Sequence, residues 1–166
     1  MLRFEIHKEL NKKCERAWKE LEKKSSCNYF QTLNYNRELI QKNKTEKVNI
    51  VIIYNKKLAI ALFPLEVKKY FFFRVLQWIG TKKSDYCNPI IDSNFEKHVS
   101  KNIFINLWRE IFTSLDKFDL FFFNNQLSKI GNVDNPFTKY FKTTIFSKIF
   151  QIRLTSTFED YKKDIK

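Results

Sequence analysis

At 166 residues, with 43% hydrophobic and 17% aromatic side chains, the chain is long enough to bury a core and too apolar to stay disordered. Its net charge of +13 invites a nucleic-acid partner, but the excess is Lys (25, against 6 Arg) spread over nearly every segment, without the Arg-led patterns of base readout. A solvated basic surface accounts for it, and no specific nucleic acid is expected. No run reaches the about 18 to 20 apolar residues of a membrane span, and the charged start MLRFEIHKEL does not suit a secretory leader. A cytoplasmic protein without a transmembrane segment is expected. Cys14, Cys27 and Cys87 lie far apart with only His7 and His98 as imidazoles, which argues for free thiols and against a disulfide framework or a metal site.

Leu2 to Ile6 alternates weakly and reads as a first strand. From Asn11 to Lys24, Cys14, Ala17, Trp18 and Leu21 recur at helical spacing, one apolar stripe of an amphipathic helix. A second short helix is expected from Tyr29 or Gln31 to Gln41, its aromatics Tyr29, Phe30 and Tyr35 either packing or flanking a cleft. Val48 to Tyr54 and Leu58 to Phe63 surround the turn residues Asn55-Lys56-Lys57, a β-hairpin closed by Pro64. Lys68 to Ile79 predicts a third strand in meander order, and the continuous apolar runs call for cover on both faces of an antiparallel sheet.

The next segment, GTKKSDYCNPI from Gly80 to Ile90, holds one of only two glycines and a rigid Asn88-Pro89 turn, and leads towards a helix start. Ser93-Asn94-Phe95-Glu96 fits a capping box, opening a long core helix with Phe95, Val99, Ile103, Leu107 and Ile111 on its apolar face. Phe118 to Phe123 reads as a buried strand, and Asn124 to Thr138 as a polar loop with Gly131 and Asn135-Pro136. A last strand is expected at Lys148 to Leu154, before a capping box at Ser156-Thr157-Phe158-Glu159. A helix starting there stops after about two turns at Lys166, short of the length at which helices are stable alone. Residues 1–155 are therefore expected to form one domain, and 156–166 to begin a helix leading into a second one.

FQTLNYN (Phe30 to Asn36), Phe63-Pro64-Leu65, the aromatic strand closed by Gly80, Ser84-Asp85-Tyr86 with Asn88-Pro89, Asn135-Pro136, and Leu154 followed by Ser156 to Tyr161 occur in an order that resembles the CelD-like acetyltransferases of cellulose biosynthesis. These belong to the GNAT superfamily and are related to FemAB-type transferases. The resemblance covers most of the chain from about Trp18 onward. It implies an α/β (α+β) GNAT-like acyl-CoA N-acyltransferase fold, with a central mostly antiparallel sheet flanked by helices. It further implies two GNAT-like halves, of which this chain matches the N-terminal one, and acetyl-CoA or another acyl-CoA held by the C-terminal half.

The residues agree with that division. A coenzyme A pyrophosphate needs a Gly-rich turn at a helix N-terminus, where backbone N–H groups can approach it. Gln77-Trp78-Ile79-Gly80 begins such a pattern, but Thr81-Lys82 follows, so no cofactor is expected on this chain alone. The acceptor side has better candidates. Asp85 has the chemistry to orient or deprotonate a hydroxyl or amine, and Tyr86 to stack on a sugar. Gln31, Ser84, Asn88, Pro89 and Asn135 are candidates to line the same cleft, and the Lys82-Lys83 pair to attract an anion. Each has a plainer alternative, in which Asp85 caps a turn, Tyr86 fills the sheet edge and the amides satisfy loop backbone. Ser84, Asp85 and His98 lack the nucleophile-elbow pattern of a hydrolase triad.

The expected function is thus the acceptor-side half of an acyltransferase for a polysaccharide or cell-envelope component, partnered by its own C-terminal half. A standalone non-catalytic binding domain is the alternative, and a basic binder of nucleic acid or anionic surfaces the third.

Overall fold

The computed structural model describes residues 2–42 and 47–145. The strand expected at Lys148 to Leu154 and the capping box at Ser156 lie outside those residues. Strand β1 (Leu2–His7) leads to helix α1 (Lys12–Lys24), a single 3-10 turn (Tyr29–Gln31) and α2 (Leu33–Lys42). Strands β2 (Val48–Asn55), β3 (Leu58–Tyr70) and β4 (Phe73–Trp78) follow, then a short β5 (Ile90–Ile91), α3 (Phe95–His98) and α4 (Lys101–Ser114). The chain continues through β6 (Leu120–Phe122), the β7 (Lys129–Ile130) and β8 (Val133–Asp134) hairpin, and α5 (Pro136–Tyr140).

The main sheet runs β1-β2-β3-β4-β6, with β5 also paired to β3. Its pairings are antiparallel except for β4 and β6, which are parallel. This is a mixed α/β architecture with a mostly antiparallel sheet and helices against it, as expected. Period-two alternation divides the strands between two cores. Val51, Ile53, Phe63, Leu65, Leu76 and Trp78 face α4, whereas Ile50, Ile52, Leu62 and Ile90 face α1 and α2. The stripe Cys14, Ala17, Trp18 and Leu21 is buried on the second side, with Asn11 capping α1 through the Cys14 N–H.

Four expectations need correction. Lys68 to Tyr70 complete β3, and the chain reverses at Phe71-Phe72 before β4 begins. No glycine, proline or asparagine signals that turn. Pro64 therefore does not close a strand. It lies in β3 where the neighbour changes from β5 to β4, and its carbonyl accepts from Ile79 N–H at 3.0 Å. Its missing N–H falls on the side of that break, so no ladder bond is lost there.

The capping box at Ser93 is not formed. Asp92 accepts from the Asn94 N–H, α3 ends after one turn at His98, and Ser100 caps α4 through the Ile103 N–H. Ile103 is consequently 40% exposed, although Phe104, Leu107, Trp108 and Ile111 are buried. Finally, Phe118 to Phe123 is not a buried strand: only Leu120–Phe122 pairs with β4, and it is an exposed edge. Aromatic runs read alike in a core and at an edge.

The face of β1 turned from α4 is ionic. Glu5 bonds Arg3 and meets Lys13 Nζ at 2.8 Å. Burial alone would raise its pKa, but Lys13 and then Arg3 hold it down, from an ordinary 4.5 to about 2. The unfolded chain therefore binds the Glu5 proton more tightly. The stabilising contribution is complete above pH 4.5 and is lost as acid takes the pH towards 2. Thermal melts across that window should steepen with acid in the parent and flatten in Glu5→Gln. Parallel acid limbs for the two proteins would remove Glu5 as the cause.

Candidate functional site

The segment leaving β4 does not end at a helix, as expected from sequence, but at β5. Gly80 takes φ 77, Lys83 N–H donates to its carbonyl at 2.7 Å, and Thr81 Oγ1 donates to Trp78 O at 2.8 Å. The tight turn redirects the chain across the end of the sheet. From there the loop is stitched to three other parts of the protein.

Tyr35, on α2, donates its hydroxyl to Lys83 O at 2.7 Å and sits 3.1 Å from Ser84 Oγ. Gln31 is buried, accepting from Asn28 N–H at 3.0 Å and donating through Nε2 to Pro89 O at 2.6 Å. On the far side, Cys87 N–H donates to Asn125 O at 2.9 Å, and Asn125 Nδ2 to Ser84 O at 3.2 Å. Asn88 Oδ1 accepts from Leu127 N–H at 2.8 Å. Asn135, fully buried, donates to Leu127 O at 2.9 Å and to Gln126 Oε1 at 3.1 Å, and caps α5 by accepting from Phe137 N–H.

The candidate residues thus divide by exposure. Gln31, Ser84, Asn88, Pro89 and Asn135 are buried; Gln31 and Asn135 bond the chain through both ends of their amides and Asn88 through Oδ1, its Nδ2 being buried without a partner. Asp85 is exposed and Tyr86 half-buried. Sequence reasoning missed Tyr35, Asn125 and Leu127 as braces of this loop. The local density of Asn and Gln after β6 was the available signal.

Tyr86 also joins an aromatic group assembled from distant segments. The Phe30 and Tyr86 rings stand 6.1 Å apart, Phe30 and Tyr35 5.4 Å, and Tyr29 and Tyr35 5.1 Å, with Tyr29 largely exposed. Tilted and edge-on rings at these separations support one another. The outcome is an aromatic platform at the surface with the Asp85 carboxylate next in the chain to one of its rings.

Other chemistries fit less well. Burial pushes the Cys87 thiol up to about 12, the Ser84 contact only partly opposing it, so the loop's sulfur is a poor nucleophile at neutral pH. His98 is exposed on α3, whereas Ser84 is buried against Tyr35, and no triad forms between them. Among the described residues, no group of three or more His, Cys, Asp or Glu is placed to hold a metal ion, and no helix is long and apolar enough to cross a membrane.

Two surface depressions lie away from the loop. One, of about 380 Å³, is lined by charged side chains of α1 alone. The other, of about 360 Å³, lies beside β5 with Lys24, Asp92, Lys97 and His98 among its lining. Neither combines a shaped loop with stacked rings, so the platform is the stronger candidate.

The chain matches no family model, no curated protein and no solved structure.

Proposed function

We propose that this chain is the N-terminal, acceptor-binding half of a GNAT-type acyltransferase acting on a polysaccharide or cell-envelope component. The observation that carries the proposal is the platform of Tyr29, Phe30, Tyr35 and Tyr86 beside the exposed Asp85. Aromatic faces suit the apolar faces of sugar rings, and a carboxylate beside them suits the hydroxyl or amine that would be acylated. In this role Tyr86 would stack on the acceptor and Asp85 would hold the proton given up by the acceptor's hydroxyl or amine, while an acyl-CoA on the second half would supply the acyl group and leave as the free coenzyme A thiol. Gln31 and Asn135 brace that loop from outside it at Pro89 and Asn88, and Ser84 anchors it to Tyr35. The mostly antiparallel sheet with helices on both sides agrees with a GNAT-like half-domain.

Acetyl-CoA or another acyl-CoA is assigned to the C-terminal half. Gly80 is the only glycine between β4 and α3, and its turn leads into a loop rather than a helix. The phosphate-binding geometry of a helix N-terminus is thus not built at that position.

Two titrations of the chain test the reading, one with a β-glucan oligosaccharide and one with acetyl-CoA. Saturable oligosaccharide binding, weakened about tenfold by Tyr86→Ala through loss of stacking, is expected, with no saturable acetyl-CoA binding. Micromolar acetyl-CoA affinity would place the donor site on the wrong half. When the chain is joined to its second half, Asp85→Asn should lower turnover about a hundredfold or more with an unchanged melting temperature. Equal losses of turnover and stability would return Asp85 to a turn-capping role.

A further inference from the structure

The hairpin between β3 and β4 carries three consecutive phenylalanines into solvent. Phe71 is 91% exposed, Phe72 92% and Phe73 57%. Single exposed apolar side chains are ordinary, but a contiguous large set marks a surface made for an apolar partner. Leu120 and Phe122, on β6 beside Val75 and Gln77, are exposed as well.

The backbone of the turn shows that this aromatic tip does not serve the fold. Tyr70 pairs with Phe73, which leaves Phe71-Phe72 as a two-residue loop, and Phe71 takes φ 51. A left-handed conformation at the first loop position is the place for glycine, and a bulky side chain is strained there. Packing returns nothing for that strain, because the side chain is in solvent.

Cationic side chains lie behind the tip, about Tyr70. Lys68 and Lys69 are exposed immediately before it. Lys82 Nζ lies 5.1 Å from the centre of the Tyr70 ring, and Lys68 Nζ 6.0 Å from it. The neighbouring acid, Asp119, is engaged by Arg74 through Nη2–Oδ1 at 2.8 Å and Nε–Oδ2 at 3.2 Å, so its charge is offset.

We propose that the β3–β4 hairpin docks on an anionic lipid bilayer, with Phe71 and Phe72 entering the boundary between headgroups and acyl chains and Lys68, Lys69 and Lys82 meeting lipid phosphates. An apolar point backed by ammonium groups matches the two layers of such a surface, apolar beneath and anionic above. The docking surface stands whether or not the chain takes part in acyl transfer.

Flotation of the full chain with zwitterionic vesicles, with or without about 30 mol% phosphatidylglycerol, tests the proposal. The parent should float with the anionic vesicles, and Phe72→Trp fluorescence should be quenched by brominated acyl chains. Phe71→Gly with Phe72→Ser should weaken vesicle binding about tenfold or more while leaving the melting temperature unchanged or raised, since glycine relieves the turn. Lys68→Glu with Lys69→Glu should weaken binding mainly at low salt. Failure of the parent to bind would overturn the proposal, as would equal binding by the phenylalanine double variant, which would leave only a basic surface. A lipid-free dimer abolished by the same double substitution would assign the patch to a second copy and overturn it too.

Discussion

Phe137→Ala is expected to destabilise the protein by about 3–5 kcal/mol, the range for deleting a buried aromatic ring. Phe137 projects from α5, and its ring lies within 4.8 Å of Trp108, 5.1 Å of Phe123 and 5.4 Å of Phe104, centre to centre. It also meets Phe63 at 5.7 Å and Trp78 at 5.9 Å, so one side chain joins α5 to β3, β4 and α4. A cavity there would be walled by rigid indoles and phenyl rings, which relax poorly into empty volume. Urea denaturation followed by tryptophan fluorescence reads the loss. A cost near that of a surface substitution, under about 1 kcal/mol, would mean that α5 is not part of the cooperative core.

Gly80→Ala should be the second large effect, at about 2–4 kcal/mol from a left-handed backbone penalty and overpacking together. The residue sits at φ 77, and an added Cβ would collide with Leu39 Cδ1 and approach Ser84 Oγ to 3.1 Å. Leu39 is buried among the α1 and α2 side chains, so it has little room to withdraw. The disturbance should spread along the loop to Asp85 and Tyr86. In hydrogen exchange, the amides of Lys83 and Cys87, both donors to loop carbonyls, should lose protection more than those of β2. Uniform loss across the protein would instead show that Gly80 matters only to global stability.

The two positions differ in how far sequence could disclose them. Gly80 was visible because glycine is scarce here and closes an apolar run. The role of Phe137 was not, because one Phe among eighteen in a polar stretch carries no periodic signal. The same contrast holds for the elements. The stripe of α1 and the β2–β3 hairpin were legible from spacing and turn residues. The Phe71-Phe72 reversal was hidden by an unbroken aromatic run with none of the usual turn chemistry. The exposed edge at Leu120–Phe122 was hidden because hydrophobicity alone does not say which side of a strand another element will cover.

For the candidate site, composition drew attention to the loop at residues 80–90 but left its geometry open. Each amide had two readings, binding a ligand or satisfying backbone, and only three-dimensional proximity separates them. Gln31, Asn88 and Asn135 turned out to brace the loop, while Tyr29, Phe30 and Tyr35 turned out to share one surface with Tyr86. Contacts between segments so far apart leave no trace in local patterns.

The bracing of the loop also orders events during synthesis. Asn88 is held by Leu127, 39 positions later, and approached by Asn135, 47 positions later. Strands β2, β3 and β4 can pair while the chain is still being made, since their partners are close in sequence. The loop at residues 80–90 must wait until residue 135 has emerged, because the closure cost of long-range contacts is met only when the later partner arrives. The sheet is thus the early product of this chain, and the surface that presents Asp85 and Tyr86 is completed last.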